Sequence, residues 1–306
     1  MKAIWADNTP FSKFMITVGV ILISAVAFTI LAVGIVTSVY GISVEEMQKV
    51  MDGDSLQSLN IMRIVQTLAS LGTFVLPPFF LAYTFGGNPK AYLGLDKTPK
   101  TISFLYVILL MILATPLINF LSEVNSSMHL PGAMKSFEDW MRAQEDKAAK
   151  ITKQFLEMHS VKSLLFNLFM VGFLPALGEE LVFRGVVQKL FHQWSKNAHL
   201  AIWVTAILFS ALHMQFYGFI PRMLLGAMLG YLYLWSGSLW LPILGHFVNN
   251  GGAVLFTYLF THGHTTIDPD KVGAQSDFLS VAISIVIVIM LFYFIRKSEK
   301  SQLREG

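Results

Sequence analysis

The sequence predicts an all-α, polytopic membrane protein of about eight transmembrane helices around an intramembrane polar cavity. Three observations predict it. Of 306 residues, 54% are hydrophobic and only 13% charged, with a mean hydropathy of +0.59. A soluble domain carries roughly 25% charged residues, so this chain lacks the polar surface to cover a globule in water. Second, apolar runs recur along the whole chain at the length of about 20 residues that a helix needs to cross a bilayer. Third, a few ionisable residues interrupt those runs near their middles. Each would cost about 2.5–3.5 kcal/mol at the bilayer centre, so such groups face an interior cavity and usually act there. The net charge of +3, without a basic stripe, offers nothing for nucleic acid. Cysteine is absent, which removes disulfides, thiol catalysis and thiolate metal sites together.

The first apolar run, 14–40, follows Lys2 and Lys13. It is far longer than the roughly 7–15 residues of a signal-peptide core, so it reads as a retained span. Further runs fall at 61–85, 101–121, 162–192, 199–217, 219–235, 239–260 and 278–295, the fourth of these eight being unusually long. Between the third and fourth lies 131–160, "PGAMKSFEDWMRAQEDKAAKITKQFLEMHS", which mixes charges of both signs with Phe137, Trp140, Met141, Phe155 and Leu156. That pattern predicts an amphipathic interfacial helix, either a solvated linker or a lid. No separate soluble module is visible, so 1–306 reads as one integral membrane domain.

Lys and Arg set the expected orientation, because they concentrate in cytoplasmic loops. Lys2 and Lys13, then Lys90, Lys97 and Lys100, then Lys189 and Lys196, then Arg296, Lys297, Lys300 and Arg304 fall in alternate connections. The connections between them are acidic or balanced. An even number of spans with both termini cytoplasmic fits this alternation.

Three polar clusters sit inside apolar runs. In "FLPALGEELVFRGVVQKLF", Glu180 and Arg184 are four apart and share a helix face, whereas Glu179 points about 100° away. The pair can therefore divide its work, with Glu180 held by Arg184 and Glu179 available for proton transfer. A buried ion network that fixes helix packing is the other reading of the same residues. In "AILFSALHMQF", His213 follows Phe209 by one turn, as a packing histidine or a catalytic one. In "PILGHFVNNGG", His246 and Asn250 share a face, able to hold an oxyanion or to bond between helices, while Asn249 is expected to point elsewhere.

In order, the spacings are EExxxR at 179–184, FxxxH at 209–213 and HxxxN at 246–250, each in its own apolar run. This resembles the CPBP family of membrane proteins, the CAAX proteases and bacteriocin-processing enzymes, also called the Abi family. The resemblance covers roughly 160–260, which is then the expected catalytic core. It implies an eight-span helical bundle and a glutamate-dependent intramembrane endopeptidase that uses neither metal nor cofactor. It also implies that Glu179 activates water with help from His213, that His246 and Asn250 stabilise the oxyanion, and that Glu180 and Arg184 support the site. The implied partners are the lipid bilayer, a membrane-embedded or lipidated peptide substrate and, in some members, a membrane protein partner. The implied location is the inner membrane of a bacterial cell.

Four other functions compete. A member of the same family can act as a non-catalytic scaffold or self-immunity factor, binding without cutting. Glu and two His could bind zinc as in a metalloprotease, although no HExxH occurs. Ser236 and Ser238 lie in a short turn, "LWSGSLW", without the context of a serine nucleophile. A transporter would be expected to leave matching halves in the sequence, and none stand out.

Overall fold

Helix ends fall where the sequence supplies caps. In the computed structural model, which describes residues 3–51, 55–267 and 277–305, α1 (Pro10–Tyr40) starts behind Thr9, whose hydroxyl accepts the Ser12 N–H. Pro10 takes the first position, where a missing N–H costs nothing. The helix stops at Gly41, in the left-handed region at φ 64°. There follow α2 (Val44–Met51), α3 (Gln57–Gly86), α4 (Pro89–Leu93), α5 (Thr101–Leu113), α6 (Thr115–Ser126) and α7 (Lys135–Leu156). The remaining helices are α8 (Val161–Ser195), α9 (Ala198–Ala211), α10 (Phe219–Ser236), α11 (Trp240–Thr261) and α12 (Phe278–Glu305). All regular structure among the described residues is helical.

Prolines shape the two long inner helices. Proline has no N–H, and its ring presses on the carbonyl four residues back. Pro77 and Pro78 of α3 follow a π-helical turn at Leu71–Val75, and Pro175 of α8 follows another at Leu168–Phe173. The wider turn absorbs the clash without ending the helix. A second π turn in α8, Phe183–Val187, has no proline and carries Arg184. Ala114 and Pro116 mark a 41° bend between α5 and α6.

Two ends of the bundle are defined by cross-links. At one end Trp5 N–H bonds the Thr84 carbonyl, Phe11 packs on Trp194, Ser238 bonds the Lys97 carbonyl and Glu299 accepts from the Lys100 N–H. Lys90, Lys97, Lys100 and Lys196 flank this end. At the other end Asn125 of α6 clamps the Phe216 carbonyl and the Ile220 N–H, and Asn167 bonds the Phe155 carbonyl. The amphipathic helix α7 lies there.

Among the described residues, four helices are long and apolar enough to cross a membrane, namely α1, α3, α8 and α12, or five with the bent α5–α6 pair as one span. Eight spans would require α9, α10 and α11 as well. Helix α9 is apolar but 14 residues long, and α10 and α11 carry polar groups, Arg222 in one and His246, Asn249 and Asn250 in the other. Residues such as Ile23, Val26, Ile30, Val286 and Ile289 are exposed on α1 and α12, an apolar outer surface that suits lipid and not water. The chain is an integral membrane protein.

Candidate active site

The site begins with a close approach of α8 to α3. A Cβ at Gly178 would lie 2.7 Å from the Phe74 Cβ, so glycine lets α8 rest against the π turn of α3. The next two residues are the glutamates. Glu180 and Arg184 have no exposed side-chain surface, and the Arg184 Nη1 donates to Glu180 Oε1 at 2.6 Å. Arg184 Nη2 donates to the Gly226 carbonyl of α10 at 2.8 Å, and the guanidinium lies 5.0 Å from the centre of the Phe209 ring of α9. His246 of α11 reaches the same carboxylate oxygen, with Nδ1 at 2.9 Å from Glu180 Oε1. One buried ion pair thus ties α8, α10 and α11, with α9 packed on its cation.

This clamp orients His246. Its Nδ1–H is committed to Glu180, so Nε2 is presented to Glu179, 3.8 Å from Oε2. That separation is beyond a direct hydrogen bond and suits a shared water. Glu179 itself is not sealed in: its side chain keeps 14% exposure, against 0% for Glu180. His213, just past the end of α9, donates Nδ1–H to the Phe209 carbonyl at 2.7 Å, which leaves Nε2 as its lone-pair nitrogen. Phe209 is the spacer between the two imidazoles, edge-on to His213 at 5.0 Å and to His246 at 6.0 Å.

Glu179, His213, His246 and Asn250 all line one cavity of 320 Å³. Glu180 and Arg184 stand behind it rather than in it. The expectation that Asn249 points elsewhere is corrected: it lines the same cavity and donates Nδ2–H to Asn250 Oδ1 at 3.0 Å. Neighbouring side chains diverge by about 100°, and this cavity is broad enough to receive both. The bond occupies the oxygen of Asn250 and leaves its Nδ2 hydrogens to give.

Three further wall residues escaped the sequence reading: Arg222 of α10 and Asn119 and Ser122 of α6. The last two are three apart on one helix face, a pattern too common to single out. Arg222 had a signal, as a cation inside the apolar run 219–235. Among the described residues, no group of three or more His, Asp or Glu is arranged to hold a metal ion. The arrangement offers a carboxylate to accept a proton, two imidazole nitrogens, and amide and guanidinium hydrogens around one small space.

Comparison with known proteins bears on the same stretch. The family model described as "Type II CAAX prenyl endopeptidase Rce1-like" matches residues 161–252. This segment is similar to that family. It contains Glu179, Glu180, Arg184, His213, His246 and Asn250, while Asn119, Ser122 and α7 lie outside it. YpbD, an uncharacterized protein of Bacillus subtilis, is 28% identical over 102 residues, which are 32% of this chain and 47% of that protein. The match therefore spans about half the length of that relative. No solved structure matches. The Rce1-like resemblance links the segment to membrane endopeptidases of the CAAX class.

Proposed function

We propose that the protein is a glutamate-dependent intramembrane endopeptidase that hydrolyses a peptide bond of a membrane-associated peptide or protein. One observation carries this reading. Glu179, His213, His246 and Asn250 meet at a single cavity, and a sealed Glu180–Arg184 pair fixes the helices that bring them there.

The chemistry follows from the geometry. Glu179 accepts a proton from a water as the water oxygen attacks the scissile carbonyl carbon. His213, with Nδ1 committed to the Phe209 carbonyl, holds that water through Nε2. Negative charge moves onto the carbonyl oxygen, where Asn250 Nδ2 donates to it. His246, held by Glu180 through Nδ1, turns Nε2 toward the same space. Donors placed in advance around a developing oxyanion are typically the largest single contribution to such catalysis. Collapse of the tetrahedral species breaks the C–N bond, and Glu179 passes its proton to the leaving amine. No covalent intermediate forms, and no metal or cofactor is required.

The substrate is membrane-embedded or lipidated, because the cavity lies between helices whose outer faces are apolar. The chain lies in the bacterial cell membrane with both termini cytoplasmic, a reading supported by the Lys and Arg clusters at the end where α1 begins. The decisive experiment compares wild type with Glu179→Gln in native membranes, reading peptide termini by mass spectrometry. Cleavage products present with wild type should vanish with Glu179→Gln, while its melting temperature stays within a few degrees. Identical terminus profiles would reject the peptidase. A cellular phenotype that survived the substitution would mark a binding protein instead.

A further inference from the structure

Arg222 is a cation on the cavity wall that the clamp does not use. It lies in the first turn of α10, and its Nη2 donates to Gln215 Oε1 at 2.5 Å. Its Nη1 is buried and has no hydrogen-bond partner. Gly218 leaves room for the group: a Cβ there would lie 3.0 Å from Arg222 Nη2. No carboxylate among the described residues is within ion-pair distance of it. Glu145 and Glu179 are close enough to act on its charge, but Glu145 is engaged by the Tyr217 N–H at 2.9 Å and Glu179 lines the cavity at more than ion-pair distance. A guanidinium presents five donors in a rigid fork that suits a carboxylate, and one arm of this fork is held while the other is unspent.

Its position adds a distance. Arg222 is four residues, about 6 Å of helix rise, from Gly226, whose carbonyl marks the level of the Glu180–Arg184 pair. Gln215 also lines a larger cleft, 990 Å³, between α7 and the end of α11. Arg222 therefore lines the catalytic cavity while bonded to a residue of that cleft, and about two extended residues cover the rise to the level of the pair.

We propose that Arg222 is a specificity residue that binds a carboxylate of the substrate within about two residues of the scissile bond. The group is either a terminal α-carboxylate or an Asp or Glu side chain. The proposal rests on the peptidase reading for the meaning of "substrate", but its test does not depend on cleavage.

Three matched apolar tetrapeptides serve as probes: one with a free carboxyl terminus, its C-terminal amide, and the amide with one internal aspartate. Their binding is measured on Glu179→Gln protein in lipid nanodiscs, where nothing is cut. At least one acid should bind about tenfold more tightly than the neutral amide, the size of a charge-assisted hydrogen-bonded contact. Which acid gains identifies the source of the carboxylate. Adding Arg222→Gln should erase the preference, and adding Arg222→Lys, which keeps the charge but not the fork, should restore part of it. Melting curves of the two double variants establish that both are folded. Absence of any preference for the acids, or a preference that persists in Arg222→Gln, overturns the proposal. Loss of Glu179-dependent products in native membranes is a separate result and bears on the peptidase alone.

Discussion

Glu179 and Glu180 are sequence neighbours with different surroundings because one helical step turns a side chain by about 100°. The step sends Glu180 into a dry junction of three helices and leaves Glu179 at the cavity. Arg184 is what makes the dry position tolerable. Truncating one partner of a buried pair strands the other charge and costs about 3–5 kcal/mol, whereas replacing both by apolar groups of similar size is often neutral. Arg184→Ala should therefore lower the unfolding free energy in detergent by about 3–5 kcal/mol, and the double change Glu180→Leu with Arg184→Met should recover most of it. Equal stability of Arg184→Ala and wild type would show that the pair does not hold the bundle. At this scale the sequence was informative where an interaction is local. The four-residue spacing of Glu180 and Arg184 is visible in one dimension, and so is that of Phe209 and His213. Asn249 and Arg222 were not legible as wall residues, because the width of the cavity and the loop that braces Arg222 are products of packing between helices.

Helix α7 is a charged element docked on the loop that carries His213. The amphipathic pattern of 131–160 was legible, but what each face meets was not. Met141 and Phe155 are buried, while Phe137 and Trp140 are exposed and stacked on each other at 5.8 Å, where an interfacial aromatic belongs. The docking itself is polar. Glu138 accepts from Arg142, the Leu130 N–H, His129 and the Tyr217 hydroxyl, and Arg142 lies 4.1 Å from the centre of the Tyr217 ring. Those donors, Arg142 foremost, hold the Glu138 carboxyl down at about 2. Because the value in the folded state is depressed, the contribution of Glu138 is complete above its ordinary value near 4.5 and is lost as pH falls toward 2. Hydrogen exchange, corrected for intrinsic rates, should show the loop 212–218 protected at pH 6 and progressively opened below about pH 4.5. Glu138→Gln should open the same loop at neutral pH and slow any Glu179-dependent cleavage, since His213 is anchored there. Unchanged protection of the loop in Glu138→Gln would mean that α7 rests on it without holding it.

On the scale of the whole molecule, hydropathy alone reveals α1, α3, α8 and α12 as spans, and it is weakest for α10 and α11 because they carry the walls of the site. The polar groups that line the cavity are the same ones that hide its central helices from a hydropathy test. Orientation is the property that charge, rather than hydropathy, sets. Lys90, Lys97, Lys100 and Lys196 lie in connections at the end where α1 begins, and Lys147 lies on α7 at the opposite end. In the proposed orientation, with both termini cytoplasmic, α7 and the His213 loop would face the outside of the cell membrane, and a substrate would approach the cavity from that half. The cysteine-free chain makes this directly measurable, since a single introduced cysteine is the only thiol to label. Lys147→Cys should react with a membrane-impermeant maleimide on intact cells. Lys90→Cys should react only after permeabilisation. The reverse pattern would invert the molecule in the membrane and move the site's mouth to the cytoplasmic half, with the internal geometry of Glu179, His213, His246 and Asn250 unchanged.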